Sequence, residues 1–108
     1  MTKVMLRLSG NKVELLLNGH AGRGKNEEIN MCCAGVSMLS STALECAFRF
    51  MEEKKGKAFG YDNRSGYVYL CLECDEKYRG ELQMYHDFIR AGIDLLMTKY
   101  PGRIIWGE

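Results

Sequence analysis

The start of the chain most constrains its fold, because two short apolar runs flank a tight-turn signal. The runs are Val4–Leu8 and Val13–Leu17, and Gly10-Asn11 stands between them. Glycine and asparagine tolerate the positive φ that tight hairpin turns need. The pattern predicts a β-hairpin whose second strand delivers His20 at its C-terminal end.

Two further stretches have the spacing of amphipathic helices. Asn30 is predicted to cap the first helix, which puts Cys33 in its first turn and continues to about Glu52. A longer helix is predicted from about Lys77 to Lys99. Its predicted buried stripe consists of Leu82, Tyr85, Phe88, Ile89, Ile93 and Leu96.

A second hairpin is predicted between the helices. The runs Ala58–Tyr61 and Tyr67–Leu72 flank the polar turn Asp62–Gly66, and Arg103–Trp106 predicts a short edge strand. The fold class is therefore α+β, with an antiparallel sheet of four or five strands and two helices in the order ββαββα(β). Residues 1–108 form a single domain, because no linker composition interrupts them.

Composition excludes several classes of protein. The net charge of +1 among 108 residues argues against a nucleic-acid partner. No run approaches the roughly 18 apolar residues of a membrane span, and Met1–Val4 does not open a secretory signal, so no membrane partner is expected. Five cysteines, two of them adjacent, do not form a closed disulfide framework. Reduced thiols predict a cytoplasmic protein.

The chemistry is concentrated in a histidine and a cysteine. His20 stands between Gly19 and Ala21-Gly22, and Cys33 follows thirteen residues later. An imidazole can take the thiol proton, and a helix N-terminus favours the thiolate. Cys32 is the rival nucleophile, about 100° away around the helix. The structural alternative, a core cysteine and an unrelated histidine, stays open from spacing alone.

The polar stretch between them allows two interpretations. Gly22 and Gly24 lower the cost of unusual backbone angles, and Glu27 and Glu28 add charge. The segment is either a solvated surface loop or a lid over a substrate.

Cys71 and Cys74 have the spacing of a redox or metal pair. In an extended strand, residues three apart point to opposite faces, so the two thiols are not expected to converge. The sequence has no second cysteine pair to complete a four-ligand zinc site, and His86 is predicted on a separate helix. No metal and no cofactor are expected.

These residues together resemble the ribosomal-processing cysteine protease family, Prp. Its members carry Gly-His-Ala and, about a dozen residues on, Asp-Ile-Val-Cys-Ala-(Ala/Gly)-(Val/Ala)-Ser. Here the two halves read Gly19-His20-Ala21 and Asn30-Met31-Cys32-Cys33-Ala34-Gly35-Val36-Ser37. Asn30 replaces the family aspartate, and the loop between the two halves is one residue longer.

The resemblance implies an endopeptidase that removes the N-terminal extension of large-subunit ribosomal protein twenty-seven, cutting after an aromatic residue. By similarity Cys33 is the nucleophile and His20 the general base. Gly19, Asn30, Ala34 and Ser37 support the site, with oxyanion donors expected from backbone N–H groups of Cys33 and Ala34. The family also implies a homodimer, for which Ile105 and Trp106 suit the interface.

The sequence leaves three alternative functions open. A phage-type relative would process a different protein. A non-catalytic protein-binding module would keep the fold and use the same groove for docking. A thiol redox or metal-binding protein would use Cys32, Cys33, Cys71 and Cys74.

Overall fold

The computed structural model describes residues 1–20, 27–63 and 66–107, and these contain five strands and two long helices. The strands are β1 (Thr2–Ser9), β2 (Lys12–Asn18), β3 (Gly56–Asp62), β4 (Tyr67–Cys74) and β5 (Ile104–Trp106). The helices are α1 (Glu27–Glu52) and α2 (Arg79–Lys99), and a short 3-10 turn, Glu76–Tyr78, precedes α2. The predicted α+β class and element order are confirmed, and the fifth strand is present.

The sheet is mixed, which differs from the wholly antiparallel arrangement predicted. Its strand order is β3-β4-β2-β1-β5. The pairs β1/β2, β2/β4 and β3/β4 are antiparallel, whereas β5 is parallel to β1. The connection from β4 to β5 crosses over through α2, so β5 runs in the same direction as β4. Because β4 itself runs parallel to β1, β5 is parallel to β1 as well.

Both helices cover the same face of the sheet. Leu15 of β2 stands opposite Leu70 of β4, and both side chains are fully buried. Alternate residues of these two strands also belong to the core, namely Val13, Leu17, Val68, Leu72 and Cys74. The period-two burial is what a sheet with one covered face requires.

Glycines let the two helices approach each other closely. A Cβ added at Gly35 would lie 2.8 Å from Leu96 Cδ2, and one added at Gly92 would lie 2.8 Å from Leu39 Cδ1. The predicted buried position of Phe88 is wrong, since its side chain is 70% exposed. It lies about 100° around α2 from the buried Ile89, on the side turned away from the sheet.

The start of α1 also differs from the prediction. The helix begins at Glu27, so Asn30 lies inside the first turn and does not cap it. Glu27 and Glu28, which the sequence assigns to a substrate loop, belong to that turn. Negative charge there is favoured by the helix dipole, which explains the earlier start.

By length and composition alone, α1 could cross a membrane, with a mean hydropathy of 1.4 over its most apolar window. The core helix of a soluble protein passes the same test. Its side chains Cys32, Ala43 and Ala47 are buried in the core cluster, which accounts for part of this apolar character.

We expect Gly56→Ala to destabilise the fold by about 1–3 kcal/mol. The added methyl group would overlap the carbonyl oxygen of Glu73 on the paired strand, and neither backbone can easily move. Urea unfolding would measure the change in free energy. Gly80→Ala is the control, because a Cβ there meets nothing within 4 Å and α2 should gain about 0.5–1 kcal/mol in helix propensity. Equal effects of the two substitutions would contradict the packing described.

Candidate active site

A cleft of about 420 Å³ lies between the N-terminal half of α1 and the end of the sheet where β2 ends and β4 begins. Cys33 and Ser37 contribute from α1, and His20 contributes from the segment after β2. The structure therefore brings the two predicted catalytic side chains into one site.

Local backbone geometry positions His20. The N–H of Gly19 donates a hydrogen bond to the Gly66 carbonyl at 2.6 Å, and the Thr2 hydroxyl donates one to the Gly19 carbonyl at 3.0 Å. Gly19 has a φ of +98°, and a Cβ added there would overlap the carbonyl oxygen of Met1. Only glycine combines a readily accessible positive φ with the absence of a Cβ. The fold therefore requires glycine before the histidine.

The second hairpin packs against the imidazole. Gly66, just before β4, has a φ of +93°, and a Cβ there would lie 3.0 Å from His20 Nε2 and 3.1 Å from its Cδ2. The ring edge therefore rests on the backbone of the hairpin. A side chain at this position would displace the imidazole.

The two adjacent cysteines have different surroundings. Cys32 is 0% exposed in the core, and burial raises the pKa of its thiol. Cys33 is half-buried and lines the cleft with His20. Because neighbouring residues differ by about 100° around a helix, one faces the core and the other the cleft. The geometry favours Cys33 as the reactive thiol.

Cys33 is the seventh residue of α1, not a member of its first turn. Its backbone N–H and that of Ala34 point back to carbonyls one turn earlier within the helix. The expectation that these two N–H groups hold an oxyanion is therefore wrong. The helix dipole acts mainly within the first turn, so Cys33 lies beyond its main reach, whereas His20 lines the same cleft as Cys33.

A family model of the cysteine protease Prp matches residues 1–105. The chain belongs to this family. It is therefore a cysteine protease, and the predicted family and enzyme class are confirmed. A search of curated protein sequences found no match.

Solved structures share the fold. The ribosomal processing protease Prp from S. aureus in complex with a substrate peptide has 16% sequence identity and a TM-score of 0.70, covering 99% of this chain and 98% of that one. The S. aureus protease with a covalently linked product peptide has 16% identity and a TM-score of 0.67, covering 98% and 97%. SMU.848 from Streptococcus mutans has 17% identity and a TM-score of 0.65, covering 98% and 91%.

The other residues of the Prp motif occupy different places. Ser37 lines the cleft one turn after Cys33, and its carbonyl accepts a hydrogen bond from the Ser40 hydroxyl at 3.1 Å. Asn30 and Ala34 are exposed on α1.

Only part of the predicted substrate loop can be placed. Glu27 and Glu28 are exposed in the first turn of α1, as described above. Gly22 and Gly24 lie outside the described residues, so the lid stays a prediction.

Several residues of the cleft were not identified from the sequence. They come from β1, α1 and the second hairpin, which are far apart along the chain. They are Thr2, Ser40, Ser41, Asp62, Gly66 and Tyr67. Their one sequence signal was the predicted hairpin turn Asp62–Gly66, and nothing local indicated that this turn meets His20.

Cys71 and Cys74 lie on opposite faces of β4, as predicted. Cys74 is buried beneath the helices, and Cys71 shares the uncovered face with Tyr69. A hydrogen bond from the Tyr69 hydroxyl to Glu14 at 3.0 Å, with burial, raises the pKa of Tyr69 to about 12. Within the described ranges no group of three His, Cys, Asp or Glu side chains is arranged to hold a metal ion.

We expect Gly19→Ala to reduce the rate of Cys33 alkylation by iodoacetamide at neutral pH at least tenfold, because the displaced imidazole no longer assists the thiol. Mass spectrometry of native protein over time measures the rate. Gly102→Ala is the matched control, since Gly102 also has positive φ (+79°) but has nothing within 4 Å of an added Cβ. An unchanged rate in Gly19→Ala, with the fold intact by circular dichroism, would contradict this role.

Proposed function

We propose that this cysteine protease removes the N-terminal extension of large-subunit ribosomal protein twenty-seven, with Cys33 as nucleophile and His20 as general base. The observation that carries the proposal is the cleft that Cys33 and His20 line together, in a chain that belongs to the Prp family. The fold shared with an S. aureus ribosomal processing protease supports the substrate class.

The cleft suits an aromatic side chain before the scissile bond. Leu17, Val36 and Val68 give it an apolar portion beside the proposed dyad. Burial of an aromatic ring in such a pocket supplies binding free energy and positions the carbonyl.

The proposed reaction proceeds through an acyl-enzyme. His20 takes the proton of Cys33, and the thiolate attacks the carbonyl carbon to form a C–S bond. His20 then gives that proton to the amine as the C–N bond breaks. Water attacks the thioester with His20 as base, and the thiol is regenerated as the new carboxylate leaves. The hydroxyl of Ser37 is our proposed donor to the oxyanion, in place of the helical N–H groups.

We expect a single cut after an aromatic residue when the protein is incubated with a peptide copying the N-terminal extension of the host's ribosomal protein, detected by mass spectrometry. Cys33→Ala and Cys33→Ser should abolish cleavage, because they remove the nucleophile. Cys32→Ala is the matched control and should keep most activity, since Cys32 is enclosed in the core.

Two results would contradict parts of the proposal. Equal loss of cleavage in the Cys32 and Cys33 variants would show that the assignment of Cys33 as the nucleophile is wrong. No cleavage of this peptide, with Cys33 still reacting rapidly with iodoacetamide, would assign the protease a different substrate, as in a phage-type relative.

We further propose a homodimer formed through the uncovered face of the sheet. An apolar row crosses four strands there, with Met5 opposite Leu16, Leu16 opposite Tyr69, and Tyr69 opposite Tyr61. Phe59 extends the row through ring contact with Tyr69. Five strands about 4.8 Å apart present roughly 600 Å² in projection, near the scale of about 800 Å² per partner in stable interfaces.

Ile105 and Trp106, the two residues expected at the interface, lie on opposite faces of the sheet. Ile105 pairs with Lys3 and shares the uncovered face, whereas Trp106 pairs with Val4 on the helix side. There the guanidinium carbon of Arg90 lies 4.9 Å from the Trp106 ring centroid. Only Ile105 is placed to contribute to this dimer.

We expect light scattering after size exclusion to give the mass of two chains for the wild type and of one chain for Leu16→Lys. A lysine in the middle of the row would bury an unpaired charge at the interface. Met84→Lys, on the exposed side of α2, is the control and should remain dimeric. A monomeric wild type would contradict the proposal, as would dissociation caused by Met84→Lys alone.

We also propose that the protein acts in the cytoplasm. No disulfide joins its five cysteines, all of which lie in described parts of the chain, and this supports a reducing compartment.

A further inference from the structure

Thr2, at the start of β1, puts a hydroxyl group into the core. Within the described ranges, Thr2 and Ser40 are the buried polar residues, and Thr2 is 1% exposed. Thr2 lines the cleft and also a small, mainly apolar cavity of about 10 Å³, which it shares with Val4 and Ile104. A buried hydroxyl loses its hydration and needs a hydrogen-bond partner. The partner of Thr2 therefore indicates what this hydroxyl does.

That partner is the residue before the proposed general base. Thr2 Oγ1 donates a hydrogen bond to the Gly19 carbonyl at 3.0 Å. The paired register of β1 and β2 ends at Lys3 and Asn18, so Gly19 lies one step beyond it. The N–H of Gly19 donates to the Gly66 carbonyl at 2.6 Å. Both polar backbone groups of Gly19 are therefore held, one by a hairpin carbonyl and the other by a side chain.

The hydrogen bond from Thr2 acts directly on the peptide that leads into His20. The Gly19 carbonyl and the His20 N–H belong to one planar peptide unit, so holding the oxygen holds the whole plane. That plane sets where the His20 backbone lies and where its side chain starts. Gly19 has a φ of +98°, and glycine has no side chain to restrict its own backbone. Contacts from other segments must therefore define the orientation.

Thr2 is itself anchored on two sides. Its N–H donates to the Arg103 carbonyl at 2.9 Å, and its Cα is paired with Ile104 of β5. Val4, two residues further along β1, shares the covered face and is 1% exposed. The hydroxyl is therefore presented from a fixed point of the sheet and can hold a segment that has left the β1/β2 ladder.

We propose that Thr2 is a positioning residue, whose hydroxyl holds the Gly19–His20 peptide so that the imidazole is presented to Cys33. The inference rests on the proposed use of His20 as general base. Valine has the same branching at Cβ as threonine but has no hydrogen-bond donor. Thr2→Val therefore removes the hydrogen bond while keeping a similar shape in the core.

Kinetics test the role with the peptide that copies the ribosomal protein's N-terminal extension. We expect Thr2→Val to lower kcat about ten- to hundredfold with KM changed less than about twofold, because the peptide still binds but the imidazole is displaced. Thr2→Ser keeps the hydroxyl and should stay within about threefold of the wild type. An unchanged kcat in Thr2→Val would overturn the inference.

Thr98→Val is the matched control for this substitution. The Thr98 hydroxyl also donates to a backbone carbonyl, that of Asp94, at 3.0 Å, but it does so on the exposed surface of α2. The control should keep the wild-type kcat. A loss of kcat in Thr98→Val as large as that in Thr2→Val would also contradict a specific role of Thr2.

Nuclear magnetic resonance distinguishes positioning from a merely structural role. The chain has two histidines, His20 and His86, so His86→Ala assigns their ring signals. We expect Thr2→Val and Thr2→Ala to shift or broaden the His20 ring signals, whereas Thr2→Ser leaves them unchanged. The signals of His86, which is hydrogen-bonded to Asp87 on α2, should not change in any of these variants.

The two hydroxyl-free variants keep this test decisive. Unchanged His20 signals in either folded variant would overturn the inference, and so would equal changes at both histidines. If only Thr2→Val fails to fold, Thr2→Ala carries the test. Unfolding of both variants in the absence of denaturant would make Thr2 a structural residue and would likewise contradict the positioning role.

Alkylation of Cys33 by iodoacetamide separates this inference from the proposed function, since it needs no peptide. A wild type that cuts nothing, but whose Cys33 reacts at least tenfold faster than in Thr2→Val, would retain the positioning role and lose the proposed function. Equal rates of alkylation and of cleavage in the wild type and Thr2→Val would overturn the role of Thr2 and leave the proposed function intact.

Discussion

The pairing of β2 with β4 is the constraint on which the candidate site depends. Asn18 at the end of β2 stands opposite Tyr67 at the start of β4, and the hydrogen bond from Gly19 to Gly66 extends this pairing by one step. The imidazole of His20 consequently rests on the second hairpin. α1 and β3 lie between these two strands in the chain, so the site forms only when β2 and β4 have paired.

α1 serves both the core and the chemistry because its faces are divided by rotation. Cys32 points toward the sheet, where burial raises the pKa of its thiol, and Cys33 lines the cleft. Further along the helix, Ser37 and Ser41 continue the cleft wall, while Ala43 and Ala47 are buried. Adjacent residues can therefore have opposite roles without any break in the helix.

Local patterns predicted most elements but not all their boundaries. Turn chemistry located both hairpins, and apolar spacing located both helices. The side chain of Asn30 is suited to a helix cap and predicts one there, yet the helix begins at Glu27. The hydrophobicity of Phe88 predicts a buried position, yet the residue lies about 100° around α2 from the buried Ile89 and is exposed. Local residue preferences could not distinguish a helix start at Asn30 from one at Glu27, or a buried Phe88 from an exposed one.

The sequence by itself determined the element order, the candidate residues His20 and Cys33, and the family to which the chain belongs. Only the tertiary structure decided that Thr2, Gly66 and Asp62 join them. It also decided the parallel direction of β5. The physical reason is that helical and strand periodicity are short-range properties, readable in a window of residues, whereas sheet order depends on contacts between distant segments. A residue's membership in the cleft is therefore set by the neighbouring strand and not by its own surroundings in the chain.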